Sequence, residues 1–102
     1  MSILHTVNKS PYEKNSLDSC LSLAKEGSAV LLIEDGIYAA LKGAVKESQV
    51  KAAAQKLQLY VLGPDLKARG MAEDRVIDGV EIVDYAGFVD LATTHDKVNA
   101  WL

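Results

Sequence analysis

The sequence predicts an α/β fold, a three-layer α/β/α sandwich around a mostly parallel sheet of four to five strands. Three observations carry this. The run Ala29-Val30-Leu31-Leu32-Ile33 is unbroken and apolar, too short for a membrane span, and rich in the β-branched and large aliphatic residues of a fully buried strand. It breaks at Glu34-Asp35-Gly36 and resumes with Ile37, Ala40 and Leu41 at helical spacing, which is one half of a βαβ unit. Strand-period and helix-period segments then alternate along the chain as β-α-β-α-β-α-β-α. The acidic turn falls at the carboxyl end of its strand, the edge where open α/β sheets place their sites.

Taken in order, Ile3-Leu4-His5-Thr6-Val7 is a short strand with β-branched residues. It stops at Asn8-Lys9-Ser10-Pro11, where Pro11 biases Ser10 away from helix. Asn15 or Ser16 is the expected N-cap of the next segment, with Asp18 in the first turn to suit the helix dipole. Leu17, Cys20, Leu21 and Ala24 then recur at i, i+3, i+4 and i+7, one apolar face of a helix that Gly27 is expected to close. After the buried strand and the helical turn through Leu41, Lys46 to Leu57 reads as an exposed, Ala-rich amphipathic helix. Leu59-Tyr60-Val61-Leu62 is a strand stopped by Gly63-Pro64-Asp65. Pro64 suits the first position of a short helix through Arg69, ended by Gly70. Val80 to Asp84 alternates as a strand. Tyr85 to Thr94 is a helix with Phe88, Leu91 and Ala92 inward, and Val98 to Leu102 is an apolar tail.

The 102 residues suit one domain spanning positions 1–102, with a single core. Hydrophobic residues make up 49% and charged residues 25%, a balance that excludes a disordered chain. With 14 acidic against 11 basic side chains, the net charge of −3 argues against binding to a phosphate backbone. No apolar run approaches the roughly 20 residues that a bilayer requires. Met1-Ser2-Ile3-Leu4-His5 lacks the charged start and long apolar segment of a signal peptide. The expected location is therefore the cytoplasm. A single cysteine, Cys20, makes no internal disulfide, which fits a reducing compartment. His5, His95, Cys20 and the carboxylates show no ligand spacing, so neither metal nor cofactor is expected.

Cys20 is the strong nucleophile of the chain, and a thiolate there would attack a sulfur donor and hold a persulfide. Its place on the stripe with Leu17 and Leu21 gives the competing reading, a small core hydrophobe. Glu34 and Asp35 offer two carboxylates, but neighbours in sequence rarely aim at one atom, and Asp35 is expected to cap the following helix. His5 reads as a hydrogen-bonded interior histidine and His95, beside Asp96, as part of a solvated loop. Neither G-x-G-x-x-G nor a P-loop is present. Trp101-Leu102 would either fold back on the domain or anchor a partner.

Leu4 to Pro11 resembles the opening of the DsrH/TusB family, and Leu31-Leu32-Ile33-Glu34-Asp35-Gly36-Ile37-Tyr38-Ala39-Ala40 resembles its strand–turn–helix signature. Tyr60-Val61-Leu62, Asp65-Leu66, Ala68-Arg69-Gly70, Val83-Asp84-Tyr85, Phe88-Val89 and Ala100-Trp101 continue the likeness in order. The resemblance implies a small α/β subunit that assembles with DsrE-like and DsrF-like sisters (TusD and TusC in the tRNA-modifying branch). The assembly it implies is a heterohexamer with two copies of each, relaying sulfur as cysteine persulfide. In the Dsr branch the sulfur comes from intracellular sulfur oxidation and passes to DsrC. In the Tus branch it reaches the 2-thio group of wobble uridine in tRNA. The resemblance places the principal sulfur-carrying cysteine on the DsrE/TusD subunit. Cys20 matches the cysteine that DsrH-like members carry in this region, which points to sulfur oxidation with Cys20 as a candidate persulfide carrier. The alternatives are a purely structural scaffold or a TusB-like role in tRNA thiolation. No direct contact with nucleic acid or membrane is expected of this subunit.

Overall fold

Short β-branched segments separated by helical ones leave few ways to bury every apolar face, and the chain adopts the parallel solution. The computed structural model describes residues 2–102. Its strands are β1 (Ile3–Val7), β2 (Ala29–Leu32), β3 (Gln58–Leu62), β4 (Val80–Val83) and β5 (Lys97–Trp101). Its helices are α1 (Ser16–Leu23), α2 (Glu47–Ala53), α3 (Gly63–Ala68) and α4 (Tyr85–Thr94), with 3-10 segments at Glu34–Ala40 and Glu73–Arg75. The five strands form one sheet in the order β4-β3-β2-β1-β5, every neighbouring pair parallel. The predicted α/β sandwich with a parallel sheet is what the chain forms.

Strand register sorts the side chains. Val7, Leu32, Val61 and Ile82 lie across from one another in one row, so with His5, Val30, Leu59 and Val80 they share a face. That face is covered by α1, the longer 3-10 helix, α2 and α3, which supply Leu17, Cys20, Ile37, Ala40, Val50 and Leu66 to one buried cluster. The opposite face carries Leu4, Ala29 and Leu31, against which Phe88, Leu91 and Ala92 of α4 pack. Those three α4 residues are the inward face that the periodicity predicts.

This unequal division follows from chirality. Parallel crossovers are almost always right-handed, so successive steps in one direction across a sheet put their helices on one face. The chain steps from β1 to β2, β3 and β4 in one direction. It then returns over the whole sheet to place β5 beside β1, and the returning α4 must cross on the other face.

Several local expectations are corrected. The apolar tail is a strand, β5, because β1 offers it a free edge and sets Trp101 beside Val7. Trp101 is thereby folded back on the domain. α1 ends at Leu23 rather than at Gly27. Gly27, with φ +88°, instead turns the chain into β2 while its N–H donates to the Lys56 carbonyl at 2.9 Å. Asn15 occupies the N-cap position of α1, but its side chain makes no capping bond. Pro64 and Gly70 stand at the two ends of α3 as expected, and Asp84 caps α4 by accepting the Gly87 N–H at 2.8 Å.

Gly36 joins the 3-10 helix to the end of β1. A Cβ there would stand 2.1 Å from the Val7 carbonyl oxygen and 3.0 Å from its carbon, both backbone atoms with no freedom to rotate away. The same Val7 oxygen accepts the Ile33 N–H at 3.0 Å, so displacing it breaks the β1–β2 junction. Gly36→Ala is therefore expected to cost about 3 kcal/mol and lower the melting temperature by roughly 15 °C. A melting temperature within about 2 °C of wild type would show that the junction yields freely.

Candidate functional site

Cys20 lies at the centre of α1 with no exposed surface, in the cluster that also holds Val7, Leu17 and Val30. An apolar surround penalises the thiolate, and burial pushes the Cys20 thiol up to about 12 from an ordinary 9.0. That shift leaves about a thousandfold less thiolate at neutral pH than a free thiol would hold. Because folding raises this pKa, the stabilisation from a neutral Cys20 is complete below pH 9.0 and is lost as pH rises through about 12.

The acidic turn has a different use from either one predicted for it. Glu34 takes a left-handed backbone conformation, φ +50°, which costs an L residue roughly 1 kcal/mol. Its N–H donates to Asp65 Oδ2 at 2.6 Å, so the carboxylate that holds the turn comes from the first turn of α3. Asp35 makes no capping bond to the helix it opens. Instead Arg69 donates through Nε to Asp35 Oδ1 at 3.1 Å and approaches the same oxygen through Nη2 at 3.0 Å. Arg69 also reaches the Asp65 carbonyl at 3.4 Å and Asp65 Oδ1 at 3.9 Å. One guanidinium and two carboxylates thus latch the carboxyl end of β2 to α3. This is a positional clamp rather than an acid–base pair. The i,i+4 spacing of Asp65 and Arg69 was the signal in the sequence for half of it.

His5 is nearly buried in β1 and accepts the Trp101 Nε1–H at its Nδ1, 3.0 Å away. An accepting Nδ1 requires the neutral ring with its proton on Nε2, and burial independently lowers the His5 pKa below 6.5. Stability tied to neutral His5 is thus present above pH 6.5 and is lost as pH falls through the lowered value. His95 stands in the short loop between α4 and β5, as expected, but is partly buried there, and its Nδ1 donates to the Leu91 carbonyl at 2.7 Å, closing α4. Its neighbour Asp96 accepts the Ser2 N–H at 2.8 Å and ties β5 to the start of β1. Asp18, expected to serve the α1 dipole, also bonds Lys46 at 3.0 Å and Gln49 at 2.9 Å. Those two bonds hold its carboxyl below the usual range.

The sheet's carboxyl edge opens into a cleft of about 760 Å³ beside β3 and β4, lined by Gly63, Pro64, Lys67, Glu73, Asp84 and Gly87, among others. No thiol lines it, and Asp84 is already engaged with Gly87. Among the described residues, no three His, Cys, Asp or Glu side chains converge as a metal site. No helix among them is long and apolar enough to cross a membrane. Among the described residues, no side-chain hydrogen bond or ion pair links any two of Cys20, Glu34, Asp35, His5 and His95; Asp35, His5 and His95 are engaged instead with Arg69, Trp101 and the Leu91 carbonyl. The pairing of His5 with Trp101 was not anticipated, since it depends on β5 lying beside β1.

These features occur on a chain with many relatives. The DsrH-like protein family model matches residues 9–98. Protein TusB of Pectobacterium parmentieri is 41% identical over 99 residues, covering 97% of this chain and 100% of that protein. Protein TusB of Photorhabdus laumondii is 34% identical over the same shares of both chains. Among solved structures, the ychN protein from E. coli superposes with a TM-score of 0.85 at 23% identity, covering 98% of each chain. A protein from Methanobacterium thermoautotrophicum gives 0.69 at 16% identity over 96% of each. These two share the fold.

A buried thiol has a direct consequence for reactivity. Iodoacetamide at pH 8 is expected to modify Cys20 at least a hundredfold more slowly in the native chain than in denaturant, read by intact mass. A native rate within tenfold of the denatured one would contradict the burial. On residues 9–98 and on full-length identity alike, the chain belongs to the DsrH/TusB family.

Proposed function

We propose that this chain is a non-autonomous subunit of a cytoplasmic sulfur-relay complex, and that it positions its sister subunits without carrying sulfur itself. Family membership supports the class of function, because DsrH/TusB proteins act beside DsrE-like and DsrF-like partners (TusD and TusC). The complete burial of Cys20 supports the positioning role. Persulfide exchange needs a thiolate that can meet an outer sulfur in line, and Cys20 has neither the charge nor the access. The relatives of 34–41% identity that carry the TusB name favour the branch serving 2-thiolation of wobble uridine. They weigh against sulfur oxidation with delivery to DsrC, which the presence of Cys20 favours when taken alone.

The carrier reading keeps one structural foothold. α1 spans only eight residues and lacks a side-chain N-cap, so local opening of this helix would bring Cys20 to solvent. The relevant experiment is deletion of the gene with nucleoside mass spectrometry of bulk tRNA. The 2-thiouridine derivatives should fall on deletion and return with either wild type or Cys20→Ala. Unchanged thiolation, with loss of growth on stored sulfur, would assign the chain to the oxidation branch. Failure of Cys20→Ala alone to restore thiolation, at normal protein level, would restore Cys20 as the carrier.

A further inference from the structure

The return crossover leaves one face of the sheet thinly covered. Five strands at about 4.8 Å spacing span roughly 19 Å between the axes of the edge strands, whereas one helix is about 10 Å wide. α4 therefore roofs about half of its face. No residue of α4 is buried, and even the inward Phe88, Leu91 and Ala92 are only partly covered. Yet α4 also exposes apolar side chains along one flank: Tyr85 and Val89, four residues apart, are 60% and 59% exposed, and the one charged residue between Tyr85 and Thr94 is Asp90. Val98 of β5 is a further exposed apolar residue on the same sheet face, by its pairing with Leu4. An apolar flank left open beside a half-roofed sheet face is the kind of surface that a partner covers.

The rim names the occupant. From Glu81 to Asp96 the sequence holds four carboxylates (Glu81, Asp84, Asp90 and Asp96) and no Lys or Arg; Lys67 lines the cleft beside Asp84 and Gly87, and Lys97 follows directly but lies on the opposite sheet face by its pairing with Ile3. Glu81 shares the sheet face with Tyr60 and Leu31 by register, and its charge helps raise the Tyr60 pKa, after burial. Two copies of this chain meeting through α4 would bring like charges together around a desolvated centre, a costly arrangement. We propose that the exposed flank of α4, Tyr85 and Val89, together with Val98, docks a different protein, one that presents an apolar patch bordered by Lys and Arg. This rests on the reading of the chain as a relay-complex subunit, and the acceptor face is then on a sister subunit.

The test is co-expression of the chain with its two sister subunits, with the dissociation constant of the assembly measured by sedimentation across a salt series. Val89 already faces water, so Val89→Asp leaves the chain's own packing intact and should weaken assembly at least tenfold. Asp90→Lys should weaken it several-fold and flatten its salt dependence. Val45→Asp, at another exposed apolar position (71% exposed), should assemble as wild type. Normal assembly of both α4 variants overturns the docking face. Self-association of the chain alone, abolished by Val89→Asp, gives the face to a second copy and overturns the chosen occupant. Failure of the wild-type chain to join sisters that bind each other overturns the underlying functional reading instead.

Discussion

The handedness of the parallel crossover is the constraint on which this structure depends. Three steps in one direction build β1 to β4 and stack α1, the 3-10 helix, α2 and α3 on a single face. The fourth connection must return, so α4 alone crosses the other face and β5 closes beside β1. One well-covered face and one thinly covered face follow from that reversal. The well-covered face buries Cys20; the other leaves an apolar helix in water.

Closure of the β5 edge depends on a few polar contacts. Trp101 lies across from Val7 and donates to His5, Ser16 Oγ donates to the Leu102 carbonyl at 3.1 Å, and Asp96 holds Ser2. Each contact links residues at opposite ends of the sequence. The clamp of Asp35, Asp65 and Arg69 does the same for the carboxyl edge, joining two strand–helix turns that the chain visits about thirty residues apart. Polar side chains here fix geometry that the apolar cluster alone leaves loose.

Local chemistry was legible where it decided local structure. The run Ala29 to Ile33 announced a buried strand, Pro64 and Gly70 bracketed α3, and the stripe of Phe88, Leu91 and Ala92 gave the inward side of α4. The 3.6-residue stripe through Cys20 correctly allowed a core residue. What stayed illegible was non-local. Nothing adjacent to Lys97-Val98-Asn99-Ala100-Trp101 says that it pairs with β1, because the edge it needs is set by the order of the earlier strands. Asp35 looked like a cap because caps are local; its partner Arg69 is a neighbour only after β3 and α3 are in place. The end of α1 at Leu23 was missed for a similar reason: Gly27 serves the Lys56 carbonyl across the sheet rather than its own helix.

On the proposed reading, function in this chain resides in surfaces and assembly more than in a reacting centre. A buried thiol, a carboxylate clamp and an under-covered apolar helix suit a part that is shaped to hold others. The most direct test is intact-mass analysis of the purified complex after exposure to a persulfide donor, with wild-type and Cys20→Ser chains in parallel. The account predicts added sulfur on a sister subunit and an unchanged mass for this chain in both cases. One added sulfur on the wild-type chain, absent from Cys20→Ser, would contradict it.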